Sequence, residues 1–167
     1  GVTAPLGHVL SRPPLCEGEA TGRAIALAET VGVPLYVVHV SAAEAVQAIA
    51  AARARGVAVV GETLPGFLAI DDSVYRNADF DVAAGHVMSP PYRPKSHQSV
   101  LWAGLQNGTL STTGTDHCCF TKAQKRLGLE NFTKIPNGCG GVEERLSVLW
   151  DMGVHGGRIT PEQFVAL

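Results

Sequence analysis

The run TGTDHCCF, residues 113–120, sets a carboxylate, an imidazole and two thiols directly after a β-prone stretch that none of them helps to form. Just past a buried strand, Asp116 stays ionised only with a cation, a helix cap or several donors around it. Two readings therefore stand for Asp116: a metal ligand, or the N-cap of a short following helix. His39 poses the same choice, because in PLYVVHV it interrupts apolar residues where an imidazole must find partners for both nitrogens. It is either a hydrogen-bonded core residue or a metal ligand. Zinc takes at least three protein ligands, and the chain contains neither H-x-H nor H-E-x-x-H, so a metal site needs donors from elsewhere. His117 is expected to orient Asp116, and Cys118 and Cys119 to be small buried apolar residues. Thiol catalysis lacks an identifiable base and orienting group.

Two turns complete the set. Pro90 and Pro91 fix the chain after Ser89 in MSPP, and Asn137-Gly138 in IPNGCGG permits a tight turn with positive φ. Both can present main-chain N–H and C=O groups to an amide ligand. Glu62 is expected to pair with a cation such as Arg12 or Arg93, while His8, His86, His97 and His155 are expected at the surface or in packing.

The elements that must hold these residues alternate. Ala20, Ala24, Leu27, Ala28 and Val31 mark the buried stripe of a helix that Gly32 ends. Pro34 to Val40 reads as a strand covered on both faces. Ser41 and Glu44 form a capping box for a helix that buries Ala45, Val46, Ile49 and Ala50. VAVVGET is a second strand, residues 64–93 are an irregular connection with small helices, and a helix over 96–107 leads into the third strand, LSTTGT. Beyond it lie a short helix near Lys122 to Leu127, a helix over 142–155 and a fresh helix start at Thr160. Such βα repeats build an open parallel sheet or a (β/α)8 barrel. His39, Glu62 and Asp116 fall at the carboxyl ends of successive strands, the face where barrels collect their chemistry. No G-x-G-x-x-G or G-x-x-x-x-G-K-[ST] loop supports a nucleotide-binding open sheet, so the barrel is preferred. A whole barrel needs at least about 200 residues. These 167 residues are therefore expected to be a piece cut from a larger barrel domain.

With 46% apolar residues and mean hydropathy +0.13, the chain can bury a core. A net charge of −2 without a basic run argues against nucleic acid or an anionic membrane, and favours a small neutral partner. Without an apolar span or leader pattern, the expected compartment is the cytoplasm. The four cysteines form no C-x-x-C pair, so no disulfide framework is expected.

The blocks GHVLSRPP, EGEATGRAIALAETVGVPLYVVHVSAAEAVQAIAAAR, GHVMSPPYRPK, TGTDHCCF, FTKIPNG and GVEERLSVLWDMGVHGGRI resemble, in order from Gly7 to Leu167, those of dihydropyrimidinases, also called hydantoinases. The resemblance implies a barrel with two zinc ions bridged by a carboxylated lysine. It implies hydrolysis of dihydrouracil, dihydrothymine and 5-substituted hydantoins to N-carbamoyl amino acids, in a cytoplasmic homotetramer. His39 matches the family's metal-binding histidine ending the sixth strand, and Asp116 the metal-binding, proton-carrying aspartate ending the eighth. Ser89 and Asn137 match positions whose main chain binds the cyclic amide. The family's H-x-H pair, its lysine and its fifth-strand histidine have no counterparts in this stretch. Alone it is expected neither to keep a two-metal centre nor to turn over substrate, and with its barrel strands unpaired it is expected to be poorly stable. Two alternatives are a non-catalytic relative like the collapsin-response mediator proteins and an allantoinase- or dihydroorotase-like enzyme. His39 with Asp116 speaks against the first, and SPPYRPK with FTKIPNG against the second.

Overall fold

In the computed structural model, which describes all 167 residues, the chain alternates helices and parallel strands over its first two thirds. After a short helix α1 (Leu6–Leu10), Pro14 occupies the first turn of α2 (Pro14–Val31), where its missing N–H costs nothing. Strand β1 (Leu35–Val37), helix α3 (Ala43–Ala54) and strand β2 (Val59–Thr63) follow. The irregular connection holds α4 (Pro65–Ala69), a 3-10 turn over Asp72–Arg76, and α5 (Phe80–Gly85). Helix α6 (Ser96–Gln106) then leads into β3 (Thr112–Thr113). A one-turn α7 (Lys122–Lys125), helix α8 (Glu144–Val148), which widens into a π-helical stretch to His155, and α9 (Pro161–Ala166) complete the chain.

All pairing in the sheet is parallel, in the order β1-β2-β3, with Tyr36 opposite Val60 and Glu62 opposite Thr112. Alternation along the strands gives the sheet two faces. One turns Val59 and Thr63 into the core with Ile49, Leu101 and Leu110. The other leaves Tyr36, Val38 and Val60 roughly half exposed, at 49%, 47% and 37%. This corrects the expectation that the first strand is covered on both faces: helices lie against one side only, so alternate residues of a uniformly apolar run stay open.

Three further expectations are corrected. Thr21, Ile25 and Ala28 form the buried stripe of α2, whereas Ala20 and the larger Leu27 and Val31 are exposed. The rotation of α2 is set by Glu17, one turn before Thr21. Glu17 accepts hydrogen bonds from the backbone N–H groups of Ser41 (2.8 Å) and Ala42 (2.9 Å). That contact also displaces the capping box. Ser41 donates its hydroxyl to Glu17 and receives Arg93 Nε at 2.9 Å, so it does not cap α3. The free N–H groups at the start of α3 are satisfied from a neighbouring helix and by His97 Nδ1, which accepts from Ala43 at 2.9 Å. Along α3, Ala52 is buried in place of Ala50.

Candidate functional site

His39 and Asp116 are the only non-glycine residues with positive φ, at 42° and 45°. Left-handed backbone costs an L-residue about 1–2 kcal/mol, so the fold holds both side chains against a local preference. His39 lies two residues beyond β1 and Asp116 three beyond β3, on strands that flank β2 at their carboxyl ends. His39 is half-buried and Asp116 exposed. Neither the imidazole nor the carboxylate makes a hydrogen bond within the chain; only the backbone N–H of His39 is engaged, donating to Glu62 at 3.2 Å. The capping reading of Asp116 fails, because Thr121 caps α7 through a reciprocal box with Gln124. The hydrogen-bonded core reading of His39 fails with its free ring.

Glu62, at the end of the middle strand, works between these two. Its other oxygen accepts from the Tyr36 hydroxyl at 2.8 Å, and it lies so close under β3 that a Cβ on Gly114 would stand 2.8 Å from the carboxylate. Glu62 thus pairs with neither Arg12 nor Arg93. Arg93 is taken instead by Glu17 at 2.9 Å.

An imidazole and a carboxylate with unengaged donor atoms suit a borderline ion such as zinc. Within the 167 residues no three His, Cys, Asp or Glu gather into a group that could hold a metal.

The expected roles of the neighbouring residues change. His117 makes no hydrogen bond to Asp116: its Nδ1 accepts from the N–H groups of Gly141 (3.2 Å) and Val142 (3.3 Å), which fixes the loop before α8. Since Nδ1 accepts, the proton sits on Nε2. Cys118 and Cys119 are exposed, because the segment after Asp116 runs along the surface beside residues 137–139.

The two turns do come together. Ser89 Oγ donates to Asn137 Oδ1 at 2.8 Å across 48 residues of sequence, and both residues are exposed. Gly138, with φ 149°, lets its N–H reach Val87 O at 2.9 Å, closing one turn on the other. The main-chain N–H and C=O groups of Ser89 and Asn137 take part in none of the chain's backbone hydrogen bonds. They remain available to a ligand.

Behind these turns stand two buried polar residues with no local signal in the sequence. His8, 1% exposed, bonds Met88 O through Nε2 at 2.7 Å, and because a carbonyl only accepts, that nitrogen carries the proton. Lys125, 4% exposed, donates to Val87 O, Pro136 O and Gly138 O at 2.8, 2.7 and 2.8 Å. Burial lowers the His8 pKa to about 4, aided by the cations of Arg12, Lys125 and Arg93 and opposed by its bond to Met88. His8 is therefore neutral in the native protein at pH 6, while an unfolded chain binds its proton from about pH 6.5 downward. As pH falls from about 6.5 to about 4, the native state is expected to lose roughly 3 kcal/mol from this group alone. Denaturant midpoints at pH 7 and pH 4.5 measure the loss. His8→Gln should flatten the profile, and an unchanged slope in that variant would assign the acid sensitivity elsewhere.

No family model matches the chain. A D-hydantoinase of Geobacillus stearothermophilus is 54% identical over 166 residues, 99% of this chain and 35% of that protein. The dihydropyrimidinase of Arabidopsis thaliana is 47% identical over 167 residues, all of this chain and 32% of that protein. Among solved structures, a D-hydantoinase from Bacillus sp. AR9 superimposes with a TM-score of 0.97 at 54% identity, over 99% of this chain and 36% of its own. The chain spans about a third of the length of the curated relatives it matches. No helix is long and apolar enough to cross a membrane.

Proposed function

Since the chain is homologous along its whole length to one third of dihydropyrimidinases and D-hydantoinases, we propose that the protein carrying it is a zinc-dependent cyclic amide hydrolase. It opens dihydropyrimidines and 5-substituted hydantoins to N-carbamoyl amino acids. The observation that carries this reading is the pair of left-handed residues, His39 and Asp116, with unengaged donor groups at the carboxyl ends of parallel strands. A scaffold protein gains nothing from such strain. The half-exposed face bearing Tyr36, Val38 and Val60 supports closure of the sheet, with strands from the rest of the protein, into a (β/α)8 barrel whose interior those residues fill.

In this reading His39 and Asp116 would hold zinc together with ligands from outside these 167 residues. When bound, zinc supplies Lewis-acid polarisation and acidifies water. The chain's own residues then orient and move protons. Ser89 and Asn137 bind the ring's N–H and C=O groups through their free main-chain atoms and fix the face it presents. Asp116 takes a proton from the attacking water as its oxygen bonds to the ring carbon. It gives that proton to the ring nitrogen as the C–N bond breaks, leaving one carbamoyl group and one carboxylic acid, which releases the water's second proton to solvent as it becomes a carboxylate. We assign the whole enzyme to the cytoplasm and to a homotetramer on the family resemblance of its sequence blocks.

The test uses the full-length protein. Purified protein is expected to contain zinc and to hydrolyse dihydrouracil, and His39→Ala is expected to lower both metal content and turnover by more than tenfold. A zinc-free protein that is fully active, or a zinc-replete one inert toward every cyclic amide and imide, would overturn the assignment.

A further inference from the structure

Lys125 makes an unusual set of contacts for a lysine on a one-turn helix. Three donated hydrogen bonds require all three protons of an ammonium group, so the side chain is a buried cation. None of the chain's ion pairs includes it. Its charge is met by carbonyl dipoles and by the Phe120 ring, whose centroid lies 5.4 Å from Nζ. Burial lowers its pKa, so the protein maintains this charge at a cost. A role confined to packing is filled more cheaply by an apolar side chain.

What the three carbonyls share is position. Pro136 O belongs to the same peptide group as the N–H of Asn137, and Val87 O is the acceptor that ties Gly138 to the Ser89 turn. Gly138 O closes the far side of the Asn137 turn. A peptide group is planar, so fixing its carbonyl fixes the direction of its N–H. A cation on the oxygen also draws electron density along the amide and makes that N–H a stronger donor. His8 holds the matching peptide on the other turn, through Met88 O and the N–H of Ser89.

We propose that Lys125 is a positioning residue for substrate: its buried ammonium aims and polarises the free N–H of Asn137 toward an acceptor carbonyl of the cyclic amide or imide. This rests on the reading that Ser89 and Asn137 receive the ring. The bound group is one with N–H and C=O adjacent in a ring, which the paired turns present with donors and acceptors side by side.

The experiment compares full-length wild type, Lys125→Met and Lys125→Gln, with dihydrouracil as the probe. Lys125→Met keeps the stem and removes all three donors. Its KM is expected to rise by roughly tenfold, the equilibrium effect of about one hydrogen bond. Over the same comparison kcat should change far less, bound metal should stay unchanged, and Lys125→Gln should fall between. In wild type, amide hydrogen exchange at Ser89 and Asn137 is expected to slow when dihydrouracil and its product are present at saturation. No slowing there overturns the substrate reading, and the role of Lys125 with it. Slowing in wild type with an unaltered KM in folded Lys125→Met overturns the role of Lys125 alone. A fall of kcat and metal content accompanying the rise in KM, or failure of both variants to fold, leaves Lys125 a structural residue and rejects the proposal.

Discussion

Asp116→Asn in the full-length protein is expected to lower kcat by at least about a thousandfold, since removing a positioned proton carrier typically costs 10²–10⁴ and the proposed function also gives this carboxylate a metal. Asparagine is the informative replacement. It matches aspartate in shape and tolerates the left-handed backbone that residue 116 adopts at φ 45°, but it neither takes up a proton nor carries charge. The carboxylate contributes no hydrogen bond, cap or ion pair to the fold, because Thr121 caps α7 and Arg126 pairs with Asp81. Apart from metal binding, rate should therefore fall without stability: with metal stripped from both proteins, the melting temperature is expected to move by no more than about 2 °C, within the range of a neutral surface change. Asp116→Ala should abolish turnover likewise, with a small added penalty for the backbone. A folded Asp116→Asn enzyme that keeps more than a tenth of wild-type turnover would remove Asp116 from the proton path.

The largest expected effect on stability lies far from that carboxylate, at Glu17. Arg93 is buried, and Glu17 answers it at 2.9 Å while also accepting from the N–H groups of Ser41 and Ala42. Glu17→Ala leaves a guanidinium without its counter-charge and uncaps the start of α3. Breaking a buried pair from one side costs about 3–5 kcal/mol, which at this size corresponds to a fall in melting temperature of roughly 10 °C. Arg93→Met in the Glu17→Ala background should recover part of the loss, because the stranded charge is then gone. Arg93 follows Tyr92 and the two prolines after Ser89, and its guanidinium also bonds Arg12 O. Glu17→Ala is thus expected to loosen the Ser89 turn as well as α3. A destabilisation below about 1 kcal/mol, the range of exposed ion pairs, would contradict this account.

How much of this could be read in the sequence depends on the distance over which each feature is specified. The βα alternation was legible because strands such as VAVVGET and helices such as residues 96–106 declare themselves through local periodicity. The α9 start was legible for the same reason, since Thr160 and Gln163 form their box within one turn. His39, Asp116, Ser89 and Asn137 stood out as chemistry-bearing residues at strand ends and turns, and the fold places all four at such positions. Strand lengths were overestimated, since pairing partners end the strands before their β-prone residues run out. Glu17 was illegible as a cap because it reaches α3 across 24 residues. Lys125 resembled an exposed lysine on a short polar helix, and only the meeting of chain segments 11, 13 and 38 residues away turns it inward. Burial partners drawn from distant segments leave no trace in local composition.

The torsional angles at His39 and Asp116 also constrain how this protein tolerates change. A metal-free variant library sorted for heat survival alone would drift toward glycine at both sites, since glycine accepts that geometry freely and each swap relieves about a kilocalorie. Under the proposed function, the survivors would grow sturdier while the catalytic population drained away unseen. Robustness and reactivity are set against each other at two torsions, and only a screen that counts product keeps both.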